Sequence, residues 1–295
     1  MGLWAAADDL PDLTSRTTKP GGATFPGTRT SRPVAARVTV HAPDIAVTAR
    51  IPALSATYAS VQPLPDGQVL VVSPRCRWRP EGPERNATVY DFTGAVLLEG
   101  TLGDGIGHVR TTGRGEIWVG YFDEGVYGNF GWGETESPPP LGASGLTRFS
   151  AAMTSEWHFP AHGENDWSPI DDCYALNVDG DTVWACYYSD FPIVRIHNDT
   201  VTAWHNDVRG AKAIAADGSR IALYGGYGSD RNRLVAGVLS GDRLHVTGEY
   251  RLVQPGGEPL PAGVQVVGRG PDLHILVGDE WLRLGLEDIP LERSR

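Results

Sequence analysis

From about Arg37 onward, apolar and polar residues alternate with a period of two, in short runs that come in pairs across tight Gly- and Asp-containing turns. The pairs read ASVQPL-PDG-QVLVV, HVRTT-GRG-EIWVGYF, CYALNV-DG-DTVWACYY, AKAIAA-DGS-RIALYGGY and VQVVGRG-PDLHILV. Alternation bounded by Gly and Asp predicts antiparallel hairpins, and a two-residue period excludes helical repeats. In each pair the second run is the more apolar. The first four pairs are each followed by two more strand-like runs: NATVYDF and AVLLEGT, GLTRFS and TSEWHF, PIVRIH and TVTAWH, RLVAGVL and LHVTGEY. Four-stranded units A-B-C-D result, and the fifth stops after EWLRLGL.

The first apolar residues of the second runs, Val69, Ile117, Val183, Ile221 and Leu273, recur at unequal intervals of about forty to sixty-five residues. Radial repetition with variable loops produces such spacing. The chain is therefore expected to be all-β, a single β-propeller of five four-stranded blades. RVTV and IAVTARIP, ahead of the first A strand, are expected to supply the missing outer strand of the last blade and close the ring, which would hide two sheet edges. Six blades, with those runs counted separately, is the alternative. Residues 1–33, rich in Pro, Gly, Thr and Ser without apolar periodicity, read as a strap or disordered tail preceding a propeller domain at 34–295.

In an A-B-C-D meander the A–B and C–D turns share one rim, and the B–C and D–A connections share the other. The first set is short, while the second is long and varied: SPRCRWRPEGPER, FDEGVYGNFGWGETESPPPLGA, YSDFP, YGGYGSDRN, GTLGDGIG and PAHGENDWSPIDD. Loops on a rigid scaffold are where binding residues concentrate, so the long-loop rim is where a ligand is expected. Its densest stretch, GYFDEGVYGNFGWG, sets Asp123, Glu124 and Asn129 among Tyr121, Tyr127 and Trp132. Glycines allow close backbone approach, rings offer stacking faces and carboxylates offer acceptors, a combination suited to sugars or other polar rings. A tight loop whose aromatics plug the neighbouring blade would carry the same residues. Trp78, Tyr187, Tyr188, Asp190, Tyr224 and Tyr227 complete the expected ligand-binding set. Asp104, His108, Asp123, Glu124 and Asp172 are the candidates for acid–base work, because paired carboxylates in unlike environments are its minimal equipment.

Composition narrows the partners. The formal charge of −11 repels nucleic acid and anionic lipid. No stretch approaches a membrane span, and Asp8 and Asp9 interrupt the N-terminal apolar run, so a cytoplasmic protein without an export signal is expected. Three cysteines, Cys76, Cys173 and Cys186, fit a reducing compartment and lack the spacing of a zinc site, so neither a metal nor a cofactor is expected. If Asp179-Gly180 forms a two-residue turn, Cys173 faces Cys186 as a pair of buried thiols.

The hairpin phrases and runs such as DTVWACYY and GEIWVGYF resemble β-propeller repeats in general, from about Arg37 to Glu287. The Gly-His and Trp-Asp signature of WD repeats and the Asp-box of sialidase-like propellers are missing, so the resemblance implies an architecture and assigns no role to any residue. The sequence favours a ligand-recognition propeller that binds a small polar or sugar-like molecule, or a partner protein's loop, on its long-loop face. A hydrolase, lyase or cyclase acting on a metabolite and a protein-interaction platform are the alternatives.

Overall fold

The computed structural model describes residues 1–18, 21–41, 45–161 and 167–290. The fold is an all-β β-propeller, and the chain divides into two compact units, Met1–Phe159 and Pro160–Arg295.

The first unit opens with β1 (Gly2–Ala5), a hairpin of β2 (Arg16–Thr18) and β3 (Thr24–Pro26), and the long pair β4 (Val34–His41) and β5 (Ile45–Leu54). A sheet follows made of β6 (Ser60–Pro63), β7 (Val69–Val72), β8 (Ala87–Tyr90) and β9 (Val96–Gly100). The next contains β10 (Ile106–Thr111), β11 (Ile117–Tyr121), β12 (Leu146–Phe149) and β13 (Ser155–His158). Every β7 residue is buried, as four consecutive β-branched or leucine side chains demand of a strand covered on both faces. Leu70, Val72, Ile117, Val119 and Phe149 share one core.

The second unit contains β14 (Asp172–Asp179), β15 (Thr182–Tyr188), β16 (Ile193–His197) and β17 (Thr200–Trp204), then β18 (Ala213–Asp217), β19 (Arg220–Tyr224), β20 (Arg233–Ser240) and β21 (Arg243–Arg251). Its last sheet is β22 (Gln265–Arg269), β23 (Asp272–Val277) and β24 (Glu280–Gly285). The first strands of these three sheets pack on one another. Small residues make that approach feasible: a Cβ on Gly268 would lie 1.9 Å from the Ile214 carbonyl oxygen. Buried Asn177 on β14 then ties the three together, donating to Ile214 O at 2.9 Å and Gly270 O at 2.8 Å and accepting from Gly270 N at 2.8 Å. All three of the bonds its amide makes here are to backbone, which is how a buried polar side chain avoids a desolvation penalty.

All five expected hairpins form, as β6-β7, β10-β11, β14-β15, β18-β19 and β22-β23, and each C and D run becomes a strand. The propeller takes its six-blade alternative, and two details are corrected. RVTV and IAVTARIP lie on β4 and β5, which pair with each other and with β1 in a sheet of their own and do not complete the last blade, so they count separately and the described residues contain six blade sheets. Ten residues of β5 against eight of β4 make a hairpin long enough to recruit β1, and that pairing outcompetes a lone closing strand. The second correction concerns the cysteines. Val178 faces Val183 and Asp179 faces Thr182, so the turn is Gly180-Asp181, and a bulge at Tyr174 shifts the register again. Cys173 consequently faces Tyr187, and Cys186 faces Ala175.

Candidate functional site

The long loops of the first unit converge on one buried charge. Arg75, in the β7–β8 loop, is 2 % exposed and grips Asp104 of the β9–β10 loop with both branches of its fork, Nε to Oδ1 at 2.9 Å and Nη2 to Oδ2 at 2.7 Å. Its Nη1 binds Glu124, on the short helix α1 (Asp123–Tyr127) of the β11–β12 loop. Asp104 Oδ1 also accepts the Cys76 amide at 2.7 Å. Burial pushes the Asp104 carboxyl up to about 6, against the pull of Arg75 and the Cys76 amide, so it is ionised at neutral pH. The guanidinium lies 4.5 Å from the Phe130 centroid, 5.4 Å from Phe122 and 5.7 Å from Phe25, within cation–π range of all three rings.

Two glycines permit this convergence. A Cβ on Gly105, whose φ is +68°, would fall 2.2 Å from the Gly125 nitrogen, and one on Gly125 would fall 2.4 Å from the Asp104 carbonyl oxygen. Asparagine amides fasten loops within each unit. Asn86, just before β8, donates to Ser73 O and Gly103 O and accepts from Leu102 N. Asn232, just before β20, receives the Tyr224 hydroxyl at 3.1 Å and donates to Leu260 O.

The N-terminal segment sits over this node. Phe25 on β3 meets Phe130 edge-on at 6.0 Å, Thr57 donates its hydroxyl to Gly27 O, and Arg29 reaches Arg85 O at 3.1 Å. Asp104, 3 % exposed, is therefore enclosed by loops and strap together.

The remaining expected residues of this unit divide by burial. Tyr121 is fully buried with its hydroxyl on Leu102 O, and Trp132 is buried with Nε1 donating to Cys76 O at 2.8 Å. Trp78 is half-buried, its amide on Phe130 O at 3.0 Å. Asp123 and Tyr127 face solvent, Asn129 turns its amide oxygen to the Phe130 N–H, and half-buried His108 follows a bulge at Gly107.

In the second unit a different surface forms. Tyr174, Tyr188, Phe191 and Tyr227 touch in a chain of ring contacts: Tyr174 stacks on Tyr188 at 6.4 Å and meets Phe191 at 5.7 Å and Tyr227 at 6.3 Å edge-on. Tyr227 donates to the Tyr174 hydroxyl at 2.9 Å. Tyr188 is 46 % and Tyr227 55 % exposed, so the cluster presents rings to solvent above a buried Phe191. Asp172 stands opposite Tyr188 in the ladder, and burial together with the Tyr227 hydroxyl raises the Tyr174 phenol well above its ordinary range, nearby Asp172 adding to the effect. Asp190 receives the Ser168 hydroxyl, and Ser189 donates to Asp171 at 3.1 Å. Tyr187 and Tyr224, by contrast, are buried pegs, the first with its hydroxyl on Ser168 O at 3.1 Å. Residues 162–166 of PAHGENDWSPIDD lie outside the described residues.

Asp104 and Glu124 were both expected on the long-loop rim, and the structure brings them to Arg75, which the sequence does not mark out from the several arginines of its loop. Tyr174 was missed because the bulge that re-aims it leaves no trace in the alternation. Among the described residues no group of three His, Cys, Asp or Glu side chains is placed to hold a metal ion, and no helix is long and apolar enough to cross a membrane.

Comparisons with known proteins bear on the fold. A model of the YxzG family matches residues 163–218, a fifth of the chain. No curated protein matches. Among solved structures, the complex of KlAtg21 with the coiled coil of AgAtg16 aligns with a TM-score of 0.50 at 12 % identity, over 87 % of this chain and 76 % of that one. A glucose dehydrogenase aligns at 0.48 and 15 % identity over 87 % and 91 %, and apo AztD from Citrobacter koseri at 0.42 and 10 % identity over 92 % and 73 %.

Proposed function

We propose that the protein is a ligand-recognition propeller whose second unit binds a small sugar-like molecule on the Tyr174, Tyr188, Phe191 and Tyr227 surface. The observation that carries this reading is the exposure of two tyrosines held in place by ring contacts and by a hydroxyl–hydroxyl bond at 2.9 Å. An aromatic face fixed before binding loses little entropy on contact and offers the flat apolar surface against which the C–H face of a sugar stacks. Asp172, beside it, is a hydroxyl acceptor of the kind that fixes orientation. Acid–base chemistry at Asp104 and Glu124 is the weaker reading, because Asp104 is enclosed and both its oxygens are committed to Arg75.

A panel of neutral mono- and oligosaccharides titrated by calorimetry tests the proposal. At least one should bind saturably, and Tyr188→Ala and Tyr227→Ala should each weaken it about tenfold, as expected for one lost stacking face. Both side chains are exposed, at 46 % and 55 %, so the fold should survive. A panel that yields no saturable binding, or a ligand indifferent to both substitutions, refutes the assignment.

A further inference from the structure

A second surface, in the first unit and independent of the aromatic one, is marked by charge. Arg37 on β4 and Arg50 on β5 are directly paired across the antiparallel ladder, and both are exposed. Like charges directly opposite one another destabilise a strand pair. Among the described residues neither guanidinium has a hydrogen-bond or ion-pair partner, although the chain carries an excess of eleven negative charges. Three acids of adjoining segments are committed elsewhere. Asp91 Oδ1 accepts the Thr93 amide at 2.8 Å, the Thr93 hydroxyl at 2.6 Å and the Ala95 amide at 3.0 Å, and Asp9 and Asp12 are held by Arg32 at 2.6 and 3.1 Å.

Both arginines line an open groove of about 590 Å³, within the range of small-molecule sites. Ala5, Ala6, Ala35 and Ala36 leave space along it that larger side chains would fill, and Ile51 and Pro52 complete the lining. Thr93 closes one side, and the turn that carries it is seated directly on β5, since a Cβ on Gly94, whose φ is +88°, would lie 1.7 Å from the Arg50 carbonyl oxygen. The wall of the groove and the backbone of one arginine are therefore a single fixed unit.

We propose that this groove binds the phosphate group of a small phosphorylated molecule. Two planar guanidinium forks match the oxygens of a phosphate, and a dianion relieves the repulsion of the facing pair more fully than a monoanion. The volume leaves room for the organic part of such a molecule beyond the phosphate itself.

The experiment is a calorimetric titration of the full chain with inorganic phosphate and with phenyl phosphate at pH 7.5, sodium chloride holding the ionic strength constant and acetate serving as the monoanion control. Saturable binding of both phosphates is expected, weakened about tenfold in Arg37→Gln and in Arg50→Gln and lost in the double variant, the loss per residue being that of a charge-assisted bond. Circular dichroism should be unchanged, because both side chains are exposed. Absence of saturation, binding that both single variants retain, or acetate binding as tightly as phosphate would each overturn the proposal.

Discussion

Removing Asp104 tests how the long-loop rim of the first unit is held. Asp104→Ala deletes two charge-assisted bonds, at 2.9 and 2.7 Å, and the acceptor of the Cys76 amide. The Arg75 guanidinium stays behind in a site 2 % exposed, with Glu124 as its remaining carboxylate. Stranding one partner of a buried pair costs about 3–5 kcal/mol, and the surviving Glu124 contact places the expected loss near the lower end, about 3 kcal/mol. Urea unfolding followed by both tryptophan fluorescence and circular dichroism, with coincident transitions and an unchanged slope, measures it. Adding Arg75→Met removes the stranded charge, so the double variant should cost about 1–3 kcal/mol less than the sum of the singles. The pH dependence has a fixed sign. The folded-state carboxyl is raised to about 6 from an unfolded value of 3.8, so the folded chain holds the extra proton between these values. The proton-linked part of this group's contribution is thus greatest below the unfolded value and is lost as pH rises through about 6, which leaves the ion pair with Arg75 in place and makes the gap between wild type and Asp104→Ala larger at pH 5 than at pH 8. A loss below about 1 kcal/mol, or strictly additive singles, would refute the account of a buried charge needing its partner.

Two further outcomes follow from burial. Trp132→Ala should lower stability by about 3–5 kcal/mol, the usual cost of emptying a core aromatic, while leaving any sugar affinity of the second unit unchanged; a melting curve like that of wild type would contradict its placement as a loop anchor. Cys76, Cys173 and Cys186 are at most 2 % exposed and form no disulfide, and burial pushes the Cys186 thiol up to about 12. A thiol reagent such as dithionitrobenzoate should label none of them in the native protein and all three in urea, and fast labelling without denaturant would be the contrary result.

Much of the blade plan was legible because it rests on local signals. Runs such as QVLVV and RIALYGGY carry their own strand pattern, and the Gly-Asp turns beside them set hairpin length. What escaped were choices made between distant segments. Whether IAVTARIP closes the last blade or pairs with β4 is a competition between two edges of equal local quality, and the alternation reads the same in both. In the loop GYFDEGVYGNFGWG the open question was orientation. Phe130 and Trp132 turn inward because Gly131, with φ +93° and no Cβ where one would lie 2.7 Å from the Trp78 carbonyl oxygen, lets the loop fold onto its neighbour, while Tyr127 is left outside. Residue type alone reports neither direction. Phe191 lay in plain view in YSDFP, yet its part in the aromatic surface depends on Tyr174, whose position the sequence hides.

That bulge separates two rules within one hairpin. Below Ala175 the β14-β15 ladder keeps an unbroken register and Ala175 to Val178 are all buried; at Tyr174 one residue stands outside the count, and it packs against the same apolar cluster as its successor while its ring joins the rim. One supernumerary residue thus uncouples what the blade displays from what it buries. Insertions or deletions at this single position change the chemistry of the surface without moving any strand below it, which makes the mouth of the inner strand a place where specificity can be rewritten while the scaffold keeps its pitch.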